Sequence, residues 1–152
     1  MKDIDKGIFK SLKKLKNISL EVGVFADAKN SDNNPASYVA DYAIANEFGT
    51  KDIPKRSFIR STSDEQGNKW QDTMDKVVGS IIDGASESKL ENELHKVGQT
   101  VRRDIIEKID SNITPKNAPS TKIIKEKQGK TKTLIDTGAL RQSIEARIRK
   151  NV

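Results

Sequence analysis

The triplet Asp136-Thr137-Gly138 is the stretch of this chain that comes nearest to an enzyme motif. Aspartic proteases carry the triplet twice, because two carboxylates must share one proton. This chain holds a single copy, so a protease would have to be a homodimer. Residues 139–143 also favour a helix, where the retroviral type of enzyme has a strand. We favour the interpretation that Asp136 caps a turn and that Gly138 lets the backbone bend there.

The sequence gives equally little support for histidine, cysteine or phosphate-binding chemistry. His95 is the single histidine, and we expect it to face solvent because a general base needs an oriented partner. Residues 129–131 read Gly-Lys-Thr, like the end of a Walker motif, but the earlier glycine and the preceding apolar strand are missing. The chain has no cysteine, which excludes disulfides and thiolate catalysis. We therefore predict no enzymatic activity, no cofactor and no metal site.

Composition suits one small domain with a thin core. The 152 residues match the usual domain size of about 100–150, and we predict a single structural domain over residues 1–152. Hydrophobic residues make up 34% and charged residues 33% of the chain, against roughly 45–50% and 25% in typical domains. Such a chain either exposes much solvated surface or gains part of its order from neighbouring subunits.

The N-terminal residues lack the apolar run of a signal peptide. No stretch approaches the ~20 consecutive apolar residues of a membrane span. We therefore expect a protein that is made and used in a cytosol, without membrane contact.

Positive charge is concentrated in the C-terminal quarter. Residues 111–152 hold ten Lys and Arg against three Asp and Glu, whereas residues 1–110 hold 18 against 19. A basic segment can bind phosphates, face an acidic protein, or remain solvated. No aromatic residue is interleaved there, so any DNA contact should be non-specific. The candidates for contact with DNA or an acidic partner are Lys122, Lys125, Lys127, Lys130 and Lys132.

Apolar spacing predicts a strand near each end of the domain and helices between the strands. Strict alternation predicts strands over residues 18–24 and 144–149. Spacings of three and four predict helices over residues 4–15, 36–48, from near residue 57 or 63 to residue 83, and 88–110. Ser88 and Glu91 resemble a capping box at the start of the helix over residues 88–110. The expected fold class is α+β, with a small antiparallel sheet packed against two or three long helices.

Turn-forming residues mark the connections. Residues 27–35 are expected to form a polar loop, and Gly49 to end its helix as a C-cap. Further short strands are expected near residues 51–60. Residues 115–133 are expected to form a flexible basic loop, within which residues 120–128 could form a short helix.

Three sequence blocks stand out by their residue types and order. Residues 42–50 (YAIANEFGT) end a predicted helix on a glycine and are followed by residues 53–60 (IPKRSFIR). Residues 117–122 (NAPSTK) and 134–144 (LIDTGALRQSI) come later. In this order and at these distances, the blocks resemble the signature of a family of tailed-bacteriophage proteins, the minor tail component, neck or virion-morphogenesis proteins. The match covers about residues 18–150.

The resemblance implies a structural virion protein that completes or terminates the tail and joins it to the head. It implies a ring, often of six or twelve copies, at the head–tail junction or upper tail, whose interior passes DNA. The implied partners are further copies of the chain, the phage connector or adaptor, and tail-tube or terminator proteins, with non-specific contact to genomic DNA. The implied location is the virion, after synthesis in the bacterial host cytoplasm. A basic, non-specific nucleic-acid-binding module is the alternative.

Ring interfaces are heterologous, so each subunit must present two different patches. We expect the first and last blocks to supply them; the alternative is that the same residues pack within their own chain. The candidate interface residues of the first block are Glu47, Phe48, Gly49, Arg56, Phe58 and Arg60. Those of the last block are Asp136, Thr137, Gly138, Leu140 and Arg141.

Overall fold

The computed structural model describes residue 13 and residues 16–27, 36–135 and 138–150. The helix predicted over residues 4–15 and the loop predicted over residues 27–35 fall almost wholly outside these ranges, as do Asp136 and Thr137. The elements are β1 (Ile18–Val24), α1 (Ala36–Phe48), α2 (Ile59–Ile82), α3 (Glu87–Asp110), α4 (Pro119–Lys127), α5 (Ala139–Gln142) and β2 (Ile144–Lys150).

The strands β1 and β2 pair into a two-stranded antiparallel sheet, which confirms the predicted α+β class. Both strands lie where the alternation of apolar residues predicts them. A one-residue shift would move every apolar side chain to the opposite face, so the pattern fixes the pairing register. The helices α1, α2 and α3 begin and end within a few residues of their predicted bounds.

The chain divides into two compact units, of which the first comprises Met1–Val22, Gln66–Val101 and Ala146–Val152. Its core consists of Val77, Ile81, Leu90, Leu94 and Val97, against which Ile18, Leu20, Met74, Val101 and Ile148 pack. The predicted packing of the sheet on the helix over residues 88–110 is confirmed at Gly98. A Cβ atom there would lie 2.9 Å from Ala146 Cβ and 3.0 Å from Leu20 Cδ1, so a side chain at this position would force its neighbours to shift.

The turn between α2 and α3 corrects one prediction. The amide of Lys89 donates to Ser86 Oγ at 3.2 Å, and the amide of Leu90 donates to the Ser86 carbonyl at 3.0 Å. Ser86 is therefore the N-cap, and the capping box predicted from Ser88 is wrong. Gly84 has a φ of +90°, which lets the chain reverse early enough for α3 to begin before the apolar stripe does.

The second unit comprises Gly23–Glu65 and Arg102–Glu145. Its buried apolar residues are Val39, Ala43, Phe58, Ile105, Ile109, Leu134, Leu140 and Ile144. Within this unit α1 lies against α5. Parts of the first and last sequence blocks therefore meet in space, although most of the domain separates them along the chain.

Residues 51–58 form a turn and an extended segment, so the further short strands predicted there are wrong. Thr50 Oγ1 accepts the amide of Asp52 at 3.2 Å and that of Ile53 at 3.0 Å. The amide of Thr50 donates to the Ile53 carbonyl at 2.8 Å. These local bonds satisfy backbone groups that a strand would need for its ladder.

The basic region over residues 115–133 contains α4, close to the short helix predicted over residues 120–128. Pro119 is suited to the first turn of a helix, where its missing N–H has no partner to lose. After α4 the chain is fastened to the end of α3, because Asn112 Oδ1 accepts the amide of Thr133 at 3.0 Å and its hydroxyl at 2.7 Å. In the described part of the chain, no helix combines the length and apolarity that crossing a bilayer requires.

Candidate functional site

The first sequence block forms the end of α1 and a sharp corner. The amide of Gly49 donates to the Ala45 carbonyl at 2.9 Å, and Gly49 has a φ of +81°, the left-handed conformation in which helices often end. A Cβ atom at this position would lie 3.0 Å from the amide nitrogen of Lys55. Backbone conformation and close approach both require glycine, which confirms the predicted C-cap.

Glu47 caps the N-terminus of α2 from the preceding helix. Its Oε2 accepts the amides of Phe58 at 2.7 Å and Ile59 at 2.9 Å. Its Oε1 accepts the Ser57 hydroxyl at 2.6 Å and the amide of Arg60 at 3.0 Å. The first amides of a helix have no acceptor within that helix, and its dipole favours a negative charge at this end. One side chain therefore joins α1 to α2.

The buried carboxylate of Glu47 is held in its charged form. Burial raises its pKa, but bonds from the Ser57 hydroxyl and from the amides of Ile59, Arg60 and Phe58 together outweigh burial. The net result is a pKa for Glu47 below its ordinary value of 4.5. Such a group is a fixed anion at neutral pH and is poorly suited to exchange protons with a substrate.

Arg56 fastens the corner to the segment that precedes α4. Its Nε donates to the Pro115 carbonyl at 2.7 Å, and its Nη2 donates to the Lys116 carbonyl at 3.3 Å. Its Nη1 donates to Asn46 Oδ1 at 3.4 Å, and its amide donates to the Asn46 carbonyl at 2.7 Å. The residue is only 7% exposed. Arg56 therefore bonds within its own chain, which is the alternative to an interface role given in the sequence analysis.

The remaining interface candidates of the first block divide between core and surface. Phe58 is 0% exposed, so it lies in the core of its own chain and cannot reach a neighbouring subunit. Phe48 is 59% exposed and lies under the guanidinium of Arg60, which is 4.5 Å from the ring centroid. Arg60 also donates from Nη2 to the Glu47 carbonyl at 3.1 Å. Among these candidates, Phe48 and Arg60 are the exposed ones.

The interface candidates of the last block also divide between the core and the surface. Gly138 has a φ of +87° and immediately precedes α5, as its predicted role in bending the backbone requires. Leu140 is buried, whereas Arg141 is exposed and donates from Nε to Asp110 Oδ2 at 3.1 Å. Arg141 is thus the exposed interface candidate of α5. The capping role assigned to Asp136 lies outside the described residues and stays a prediction.

A cavity of about 480 Å³ opens in the second unit, and all three sequence blocks contribute to its wall. The first block supplies Tyr42, Asn46, Ile53, Pro54 and Arg56; the second supplies Asn117, Ala118 and Thr121; the last supplies Leu134, Gly138, Ala139 and Leu140. The blocks that sequence reasoning singled out separately therefore build one corner and one cavity.

Lys125 departs from its predicted role. It is buried, and its Nζ donates to the carbonyls of Lys132 at 3.0 Å, Thr133 at 3.2 Å and Ile135 at 2.9 Å. Its ammonium group therefore holds the segment after α4 in place. Because that group faces its own backbone, the prediction that Lys125 contacts DNA or an acidic partner is corrected.

The other lysines of the basic region remain candidates for such contact. Lys122 and Lys132 each approach a carboxylate of their own chain at 3.7 Å. Pairs of this kind contribute only about 0–1 kcal/mol, so a partner could replace them. Lys127 is exposed and Lys130 is half-buried. Contact between these lysines and DNA stays a prediction.

Sequence reasoning missed an exposed apolar face on α1. Tyr38, Ile44 and Phe48 are 60%, 57% and 59% exposed and lie on the side of the helix opposite the buried Val39 and Ala43, a side that also carries the exposed Asp41. The signal was present in the sequence, because α1 has apolar residues on both sides and only one side can face the core. We call Tyr38, Ile44 and Phe48 the α1 apolar face.

A second exposed apolar group lies on α4, where Ile123 and Ile124 are both more than half exposed. We call these two residues the α4 pair. Scattered single apolar residues are normal on protein surfaces, whereas contiguous ones often mark sites of interaction. The α1 apolar face and the α4 pair are therefore the docking candidates that the second unit presents.

Metal and histidine chemistry has no visible support in the described ranges. No three His, Asp or Glu side chains there form a group that could hold a metal ion, and His95 is exposed, as predicted. What the site does contain is a rigid corner, a cavity with a buried arginine in its wall, and two exposed apolar groups. Comparisons of the chain with protein-family models, curated proteins and solved structures gave no match.

Proposed function

We propose that the protein is a structural virion component of a tailed bacteriophage, which forms a ring in the head–tail connector or neck and completes or terminates the tail. One observation carries the proposal: the sequence blocks on which the resemblance rests surround one cavity in one compact unit. Chance matches scattered along a chain have no reason to converge in this way. The convergence supports treating the blocks as one signature, and the mechanical role is what the resemblance of that signature implies.

A ring of identical copies needs two different complementary patches on each subunit. We expect the α1 apolar face of one copy to bind the α4 pair of the next. Removing these side chains from water stabilises the contact by roughly 25 cal/mol per Å² of apolar surface.

Charge substitutions in the two patches test the interface. Ile44→Lys and Ile124→Lys should each weaken ring assembly by at least about tenfold, since each would place a charged side chain in the proposed contact. The matched control is Ile82→Lys at the end of α2, because Ile82 is also exposed but belongs to neither patch. Mass photometry, with and without the phage connector and tail-tube proteins, measures the assembly.

Localisation in particles tests the function itself. We expect the protein in purified virions, and cryo-electron microscopy should place it at the head–tail junction or upper tail. Absence from intact particles would contradict the proposed function. A chain that remains monomeric with every connector and tail protein of its phage would contradict the ring. Rings that tolerate both lysine substitutions would instead show that other surfaces form the interface.

A further inference from the structure

The wall of the cavity in the second unit contains a buried positive charge. Arg56 lines the cavity and is 7% exposed. A guanidinium carries five N–H donors and no acceptor. Three of them are used in the bonds to Pro115, Lys116 and Asn46. All three acceptors are neutral oxygens, so these bonds satisfy donors without balancing the charge.

No carboxylate among the described residues lies within ion-pair distance of the Arg56 guanidinium. Burying a charge without a counter-charge is costly. Burial lowers the pKa of Arg56 below its ordinary value, while the electrostatic influence of Tyr42 opposes the decrease. Two N–H donors of Arg56 make no bond to the described residues, and this number matches the two oxygens of one planar carboxylate.

Part of the remaining wall is apolar, although it also holds neutral polar side chains and the buried Lys125, whose ammonium group bonds to three carbonyls of its own chain. Val39, Leu134 and Leu140 are buried apolar residues that line the cavity. Asp52 also lines it, but this carboxylate is exposed and therefore well screened by water. A phosphate would bring more charged oxygens than the two remaining Arg56 donors can satisfy. A volume of about 480 Å³ lies within the usual range for small-molecule sites.

We propose that this cavity binds a carboxylate attached to a small apolar group, with the Arg56 guanidinium pairing with the anion. Two sources share that chemistry: a free carboxylic acid, and the C-terminal end of a polypeptide. The proposal rests on the geometry of the cavity and does not depend on the phage assignment or on ring formation.

Titrations of the full-length chain with matched acid and amide probes test the ligand class. The probes are N-acetyl-leucine, N-acetyl-leucinamide and inorganic phosphate, followed by two-dimensional NMR of the ¹⁵N-labelled protein. We expect N-acetyl-leucine at millimolar concentration to shift the Arg56 Nε–H and the amides of Thr121 and Ala139. The amide should bind at least about tenfold more weakly, because it cannot form the charge-assisted pair. Equal binding of acid and amide, tighter binding of phosphate, or no shift with any probe would overturn the proposal.

A second pair of probes separates the two sources. N-acetyl-Ala-Ala-Leu with a free carboxyl end should bind several-fold more tightly than N-acetyl-leucine if the natural ligand is a chain end. Equal or weaker binding of the peptide assigns the cavity to a free acid, because the chain before the carboxylate then adds nothing. Either outcome, with the amidated peptide at least about tenfold weaker, supports carboxylate recognition.

Substitutions in the wall and at the mouth locate the binding. Arg56→Gln should weaken N-acetyl-leucine binding by at least about tenfold. Because Arg56 also holds backbone carbonyls, Thr121→Trp provides a second variant that leaves the guanidinium intact and fills the mouth from an exposed position. Its control is Ser120→Trp, an exposed neighbour on α4 that does not line the cavity. The proposal requires Thr121→Trp to weaken binding while Ser120→Trp does not, and the same affinity in both variants would refute it.

Discussion

Replacing Glu47 by glutamine tests whether one carboxylate joins α1 to α2. Glutamine has nearly the same shape, but it presents one accepting oxygen and one donating NH₂ group where the glutamate has two accepting oxygens. In the wild type, Oε1 receives Ser57 and Arg60 while Oε2 receives Phe58 and Ile59. Whichever way the amide turns, at least two donors lose their acceptor and face an NH₂ group.

The magnitude follows from those lost acceptors. Each buried donor left unsatisfied costs about 1–3 kcal/mol. Removing the charge from the helix N-terminus costs about a further 0.3–1 kcal/mol. We therefore expect Glu47→Gln to lower the free energy of unfolding by about 2–7 kcal/mol. The matched control is Asp41→Asn, since Asp41 is an exposed carboxylate on the same helix. Its effect should stay within about 0.5 kcal/mol.

Urea denaturation followed by circular dichroism measures the difference, and its pH dependence tests the cause. The pKa of Glu47 is lower in the folded chain than its ordinary value of 4.5. Its contribution to stability is therefore complete above about pH 4.5 and is lost as the pH falls through the folded pKa. The gap between wild type and Glu47→Gln should narrow over that interval. A variant as stable as Asp41→Asn at pH 7, or a gap that does not change with pH, would refute the reasoning.

Two further pairs of variants test the packing of each unit by thermal denaturation. Gly98→Ala should lower the free energy of unfolding by about 1–3 kcal/mol, because its Cβ would meet Ala146. Gly79→Ala, whose Cβ would meet no atom within 4 Å, should raise it by up to about 1 kcal/mol; equal effects would contradict the close approach of sheet and helix. Lys125→Met should lower the free energy of unfolding by about 2–4 kcal/mol, since the carbonyls that bond to the Lys125 ammonium group lose their donor. Lys127→Met should leave the free energy of unfolding unchanged. If Lys127 contacts DNA, Lys127→Met should also reduce the salt dependence of DNA binding by about one phosphate contact; an unchanged salt dependence would exclude that contact.

The strands and long helices could be predicted because their information is local. Alternation in β1 and β2, and spacings of three and four in α3, are properties of a few neighbouring residues. The helix α3 begins within one residue of its predicted start, but the predicted capping box is wrong because the cap depends on the backbone conformation at Gly84, which lets Ser86 take the capping position. The short strands expected near residues 51–60 failed for a similar reason, since the hydroxyl of Thr50 redirects the backbone into a turn.

The sequence predicts which residues form the candidate site, but it does not predict what each of these side chains contacts. Charged residues are seldom buried, so Glu47, Arg56 and Lys125 were expected at surfaces. Each is buried because its partners belong to another part of the chain or are backbone groups: Arg56 bonds to carbonyls 59 and 60 positions away. Periodicity carries no information on such contacts. The exposed face of α1 could have been inferred, because a helix with apolar residues on both sides has more of them than the core can accept.

The positions that make the first block recognisable are mainly those that build its corner. Glu47 caps the next helix, Gly49 ends the previous one, and Arg56 fastens the loop, so each is constrained by its own chain. The exposed apolar side chains, such as Ile44 and Ile124, do not build the corner. Their residue types would therefore depend on the surface of the partner that they contact. If the ring assignment is right, the blocks would specify the shared architecture, whereas the exposed apolar residues would decide which neighbour the subunit binds. Exchanging exposed residues between related proteins, with the corner left intact, should then change the partner and preserve the fold.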